Sequence, residues 1–252
     1  MTPANAKPSP AAAGPEPNTS ADVCLFIEGA YPYVTGGVSQ WVHELITKHK
    51  RLKFHIVCLV SGDQPLPFRY AMPPNVLSLR NLALVQHESH CPSDAHAQAM
   101  VEKLEGPMRA LLDGGGRDCL RQLMLVLSQH HDTATMAQLL NSRAAYAMVQ
   151  RMYEKSVPQG SFLHYFWSWR AMMGALCAVL LSRLPNARTY HALSTGYAGL
   201  AMARAVIATG RPGLLTEHGI YTNERRVEIA MADCLREPKP ASLSIDQRPT
   251  DL

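Results

Sequence analysis

The order of apolar and polar positions gives a β/α rhythm interrupted by one long helical stretch. VCLFI (23–27) is a continuous apolar run, the pattern of a parallel strand covered on both faces. Past a Gly-Gly loop, Val38, Trp41, Val42, Leu45 and Ile46 recur at helical spacing and predict an amphipathic helix over 37–48. FHIVCLV (54–60) and NVLSLR (75–80) read as the second and third strands. From Pro92 to about Lys155 the period is helical throughout. Three helices are expected there: SDAHAQAMVEKLEGPMRALLDGGG with a Ser or Asp cap and a glycine stop, RDCLRQLMLVLSQ, and TATMAQLLNSRAAYAMVQRMYEKSV. SFLHYFWSWRAMMGALCAVLLSRL is a further helix, and ARTYHA (187–192) returns the chain to strand. Ser194 or Thr195 is expected to cap the helix GYAGLAMARAVIATG, which Gly210 ends; the strand GLLTEHG (213–219) and the helix NERRVEIAMADCL follow. The fold expected is α/β, a Rossmann-like doubly wound parallel sheet with a helical insertion over about 92–160.

The ends of the chain lack this periodicity. Residues 1–21 have no apolar core of the kind a secretory signal needs, and their Pro, Ala and polar content reads as a disordered leader. The folded part is expected over 22–237, with an irregular tail at 238–252. The run AMMGALCAVLL (171–181) falls short of the roughly 20 residues that span a bilayer, so it reads as a buried helix. A net charge of +4 comes from scattered bases with no block of five, which argues against nucleic-acid binding. The six cysteines form no C-x-x-C pair and read as reduced core thiols, the usage of a cytoplasmic protein. Cys91, among His87, His90 and His96, is the one metal candidate; a polar loop at a helix start explains the same residues, and no metal or cofactor is assigned.

In open parallel sheets, ligands bind beyond the carboxyl ends of the strands. That rule collects Glu28 and Gly29, Ser61, Gly62 and Asp63, His191, and Glu217, His218 and Gly219 on one rim. Gly36 and Gly37 lie there too, at a helix start where free backbone N–H groups and the positive end of the macrodipole favour an anion such as phosphate. Each member also has a plainer reading. The glycines serve a tight turn, His191 bonds backbone, Glu217–His218 is a structural pair, and Glu28 caps a turn. Tyr33 and Trp41 read as packing before stacking, and Arg225 and Arg226 as a solvated helix face. No G-x-G-x-x-G, Walker loop, G-x-S-x-G or H-E-x-x-H is present.

EGAYPYVTGGVSQWVHELI, YHALSTGYAGLAMARA and LLTEHGIYTNERRVEIAMA resemble the N-terminal half of the PelF-like glycosyltransferases of bacterial Pel exopolysaccharide synthesis, in glycosyltransferase family 4. The resemblance covers about Asp22 to Cys234 and is weakest in the helical insertion. It implies the N-terminal half of a GT-B fold, two Rossmann-like domains with a nucleotide sugar between them, retaining chemistry and no metal. By position, it implies that Gly36 and Gly37 face the donor diphosphate and that His191, Glu217 and His218 are the catalytic set. Glu28, Tyr33 and Gly219 then line the acceptor sugar. Leu193 and Ser194 depart from the His-x-His or His-Asp pattern of many relatives. The chain ends before the second, nucleotide-binding domain, so the expectation is an acceptor-side domain of a hexosyltransferase, with UDP-linked donor and polysaccharide substrates, inactive alone. The resemblance also implies a cytoplasmic protein held at the inner membrane through a polysaccharide synthase complex. The alternative is a non-enzymatic scaffold of that complex that kept the fold and not the catalysis.

Overall fold

The computed structural model describes residues 20–62, 64–85, 94–129, 136–156 and 160–218. The leader before Ser20, the loop around Cys91, the inter-helix histidines His130 and His131, and everything from Gly219 onward lie outside the described residues. The chain divides into two compact units, Met1–Thr216 and Glu217–Leu252.

The first unit carries five parallel strands in the order β3-β2-β1-β4-β5, with β1 Ala21–Glu28, β2 Phe54–Val60, β3 Val76–Ala83, β4 Ala187–Ala192 and β5 Gly213–Leu215. β1 is central and pairs with β2 on one edge (Leu25 opposite Ile56) and with β4 on the other (Leu25 opposite His191). That position explains the unbroken apolar run: with hydrogen bonds on both edges and side chains buried on both faces, no polar face is needed. Leu25, Ile27 and Ile56 pack against Val42 and Ile46 of α1 (Gly37–Lys48). Cys24, Phe26, Val57 and Leu59 face the other way, onto Ala198, Ala201 and Ala205 of α7 (Tyr197–Thr209) and Val179 of α6 (Phe162–Leu181). Helices on both faces make the sheet doubly wound, as the β/α rhythm predicts.

Between β3 and α6 lie α2 (Asp94–Leu112), α3 (Arg117–Gln129), α4 (Met136–Asn141) and α5 (Arg143–Ser156). They share a core of Met100, Leu104, Leu123, Met148 and Met152 with Trp169, Met173 and Leu176 of α6. α6 is therefore sandwiched between this module and the sheet, and residues 175–180 are buried all round. This is why AMMGALCAVLL shows no polar stripe. Among the described residues no helix is long and apolar enough to cross a membrane.

Several boundaries differ from the pattern in the sequence. Ala21, assigned to the leader, is buried and its N–H donates to Asn186 O at 2.9 Å, so the folded part starts one residue early. The expected single helix 133–157 is two, because Ser142 interrupts it and its Oγ accepts from Ala145 N–H at 3.1 Å, starting α5 afresh. β3 runs to Ala83, three residues further than NVLSLR. Its first expected residue, Asn75, is instead a cap. The buried Asn75 Nδ2 donates to the carbonyls of Ile46, His49 and Leu52 at 3.0, 3.2 and 3.1 Å, satisfying the end of α1. GLLTEHG forms strand only over Gly213–Leu215, an edge strand exposed along its length.

Two outcomes follow from these contacts. Asn75→Ala removes a buried donor shared by three carbonyls and should lower unfolding free energy by about 1–3 kcal/mol, read from urea melts. Burial pushes the Cys58 and Cys177 thiols up to about 12. Mass spectrometry after iodoacetamide treatment at pH 8 should find both unmodified in folded protein and both modified after denaturation.

Candidate functional site

The strand order reverses direction at β1. The chain leaves β1 through α1 toward β2, and leaves β4 through α7 toward β5. The carboxyl ends of β1 and β4 therefore open a crevice with α1 and α7 both starting at its rim, the position where doubly wound sheets bind ligands.

The two helix starts are satisfied differently. Ser194 and Thr195 do not cap α7: its N-cap is Gly196, with no side-chain cap of its own. The cap comes from 170 positions away in the chain, where Glu28 Oε1 at the end of β1 accepts from Ala198 N–H at 2.7 Å. A carboxylate in the first turn also meets the positive end of the helix dipole. A Cβ at Gly196 would lie 2.5 Å from Glu28 Oε1, so a side chain there would have to displace the capping carboxylate. Glu28, expected at the acceptor sugar, is thus engaged in joining β1 to α7.

α1 begins without such a partner. Gly36 is its N-cap with no side-chain cap hydrogen bond, and no acidic residue stands in the first turn. Both glycines are exposed, and among the described residues a Cβ built on either meets nothing within 4 Å. Their backbones are extended or helical, so neither conformation nor packing among the described residues demands glycine there.

One turn further along α1, Trp41 stands edge-on to His191, the rings 6.4 Å apart and 87° from parallel. Four residues of helix rise about 6 Å, so His191 and the Gly36–Gly37 start belong to the same end of the crevice. His191 is only 6% exposed. Its Nε2 shares a 2.8 Å hydrogen bond with Thr216 Oγ1, and Thr216 N–H donates to Ala192 O at 2.9 Å. Thr216 as a partner was not legible in the sequence, where it read as one more strand position; only the register of β4 against β5 brings it to His191.

The other expected members divide. Tyr33 is buried, its hydroxyl donating to Asn81 Oδ1 at 2.6 Å and its ring against Phe68, so it braces the β1–α1 loop against β3. Ser61 and Gly62 follow β2, and Asp63 lies outside the described residues. Glu217 and His218 are exposed and are the first residues of the second unit. Gly219 lies outside the described residues. Among the described residues, no group of three His, Cys, Asp or Glu side chains could hold a metal ion.

Residues 21–244 match the family described as Domain of unknown function (DUF3492). The chain belongs to the DUF3492 family. No curated protein and no solved structure matches it. In this DUF3492 chain the crevice therefore has to be read from its own geometry.

The Glu28–Gly196 contact makes a prediction about folding. Gly196→Ala should lower unfolding free energy by roughly 1–3 kcal/mol. In a Glu28→Ala background, which itself loses about 1 kcal/mol of capping, that cost should shrink. Urea unfolding of the four proteins tests it: equal Gly196→Ala costs in both backgrounds would mean the carboxylate is not the reason for glycine.

Proposed function

We propose that this DUF3492 chain is the acceptor-side Rossmann half of a retaining glycosyltransferase of the PelF-like, GT-B kind, acting on a UDP-linked hexose in exopolysaccharide synthesis. The family's association with glycosyltransferase-like proteins supports the class. The observation that carries the reading is the contrast between the two helix starts at the switch point. One is filled by the chain's own carboxylate at 2.7 Å, and the other is exposed, with two glycines that no contact among the described residues requires. Backbone N–H groups that need an anion and a wall without Cβ atoms are what a diphosphate uses.

In this reading the first turn of α1 stabilises negative charge developing on the departing diphosphate. His191, held by Thr216, orients the transferred sugar and does not need to move a proton. The resemblance implies Glu217 and His218 as further catalytic candidates and Gly219 as an acceptor-side residue. In GT-B enzymes the second Rossmann domain supplies most nucleotide affinity, so the α1 start accounts for the smaller, phosphate-directed part of donor binding. Attachment to an inner-membrane synthase complex belongs to the same proposal.

The test uses the silent geometry of the glycines. Millimolar uridine diphosphate should shift the backbone amides of Gly36 to Gln40 in nitrogen-15 spectra. The Gly36→Ala/Gly37→Ala double variant should melt like the parent yet bind about tenfold more weakly, on the order of 1.4 kcal/mol. Absence of amide shifts at the α1 start would remove the diphosphate site and leave the scaffold reading in its place.

A further inference from the structure

A half-exposed helix ordinarily turns a charged face to water. The first half of α6 does not. Its exposed positions are Leu163, His164, Trp167, Ser168, Ala171 and Met172, which recur at helical spacing and form one stripe. Leu163 is 65% exposed and Trp167 57%. Arg170 is the helix's one residue of fixed charge, and its Nη1 donates to Leu140 O of α4 at 2.7 Å. Tyr146 of α5, also exposed, sets its ring against Phe162 and Phe166, with centroids 5.9 Å from each, and so carries the apolar surface sideways onto α5. A singly exposed aliphatic is unremarkable: Leu125 of α3 is 57% exposed, one turn after exposed Arg121. The α6 stripe differs in being continuous and without a formal charge.

We infer that this stripe is a two-fold contact between two copies of this chain, α6 against α6. The chemistry of the face selects that occupant. In a two-fold contact each group near the axis lies close to its own copy, so a charge there repels itself. A partner of different sequence is under no such constraint, and charges on the face would steer and select it. The stripe carries none, and its two polar side chains suit self-recognition. The Ser168 hydroxyl and a neutral His164 imidazole each hold a donor and an acceptor, so each can satisfy the same group on a copy. Size agrees. From Leu163 to Met172 the stripe runs about 14 Å, and with α5 beside it the face is about 20 Å wide. A standard dimer covers about 800 Å² on each partner, as an apolar core inside a polar rim. The patch supplies about a third of that, the core, and sets the dimer at the weak end, with Kd on the order of 10 µM. No residue of the crevice takes part, so the contact stands apart from the glycosyltransferase reading.

Sedimentation velocity of the full chain between about 1 and about 200 µM reads the outcome, since a dimer's population follows concentration. The parent should pass from monomer to dimer and go no further, because a two-fold contact closes. Trp167→Glu sets a carboxylate against its own copy and should weaken the dimer by about tenfold or more. Leu163→Lys should act in the same direction from one turn away, so the result does not hang on the folding of one variant. Leu125→Glu, at an equally exposed position on α3, should leave association unchanged. Circular dichroism melts show that each variant is folded. A parent that stays monomeric over the whole range would overturn the contact. So would a dimer that survives both Trp167→Glu and Leu163→Lys, or growth beyond two copies.

Discussion

β1 carries hydrogen bonds on both edges and packing on both faces, and the rim of the sheet is arranged by that double commitment. Because it pairs with β2 and β4 at once, the chain leaves it toward one half of the sheet and leaves β4 toward the other. The crevice between their carboxyl ends is a consequence of strand order, not of any special loop. Glu28 then converts this topology into a fixed geometry. As the last residue of β1 it reaches the first turn of α7, tying the end of the central strand to the helix that follows its neighbour.

That carboxylate also settles one of the two helix starts at the crevice. Two helices begin at one rim, each with backbone donors to satisfy. The chain meets the demand of α7 internally and leaves that of α1 unmet by any side chain of its own first turn. An acid at the α1 start would have stabilised the helix by a few tenths to about 1 kcal/mol. Its omission, beside two exposed glycines, forgoes that local stability.

The periodicity was enough for most of the fold. α1, α3, β2 and β4 lie where apolar spacing puts them, since each buries one regular face or both. Two of the failures share a physical cause: a side chain bonded to backbone far from it in sequence. Asn75 caps α1, and Glu28 caps α7 in place of Ser194 or Thr195. Ser142 is the local exception, splitting a helix that its neighbours would have continued. In the candidate site, the glycines and His191 were legible as rim residues. Trp41 read as packing before stacking, because an amphipathic pattern counts it as one more apolar position and cannot tell an indole inside the stripe from one beside it.

Composition and spacing therefore determined the class of the fold, the order of its elements and the list of polar residues at strand ends, because these depend only on local propensity and burial period. The tertiary structure decided how that list divides. Glu28 and Tyr33 became internal supports, bonded to Ala198 and Asn81, while His191 acquired Thr216 and Trp41 as neighbours. A residue's chemistry is written in its side chain, but whether that chemistry is spent inside the protein or left for a ligand depends on which distant segment arrives beside it.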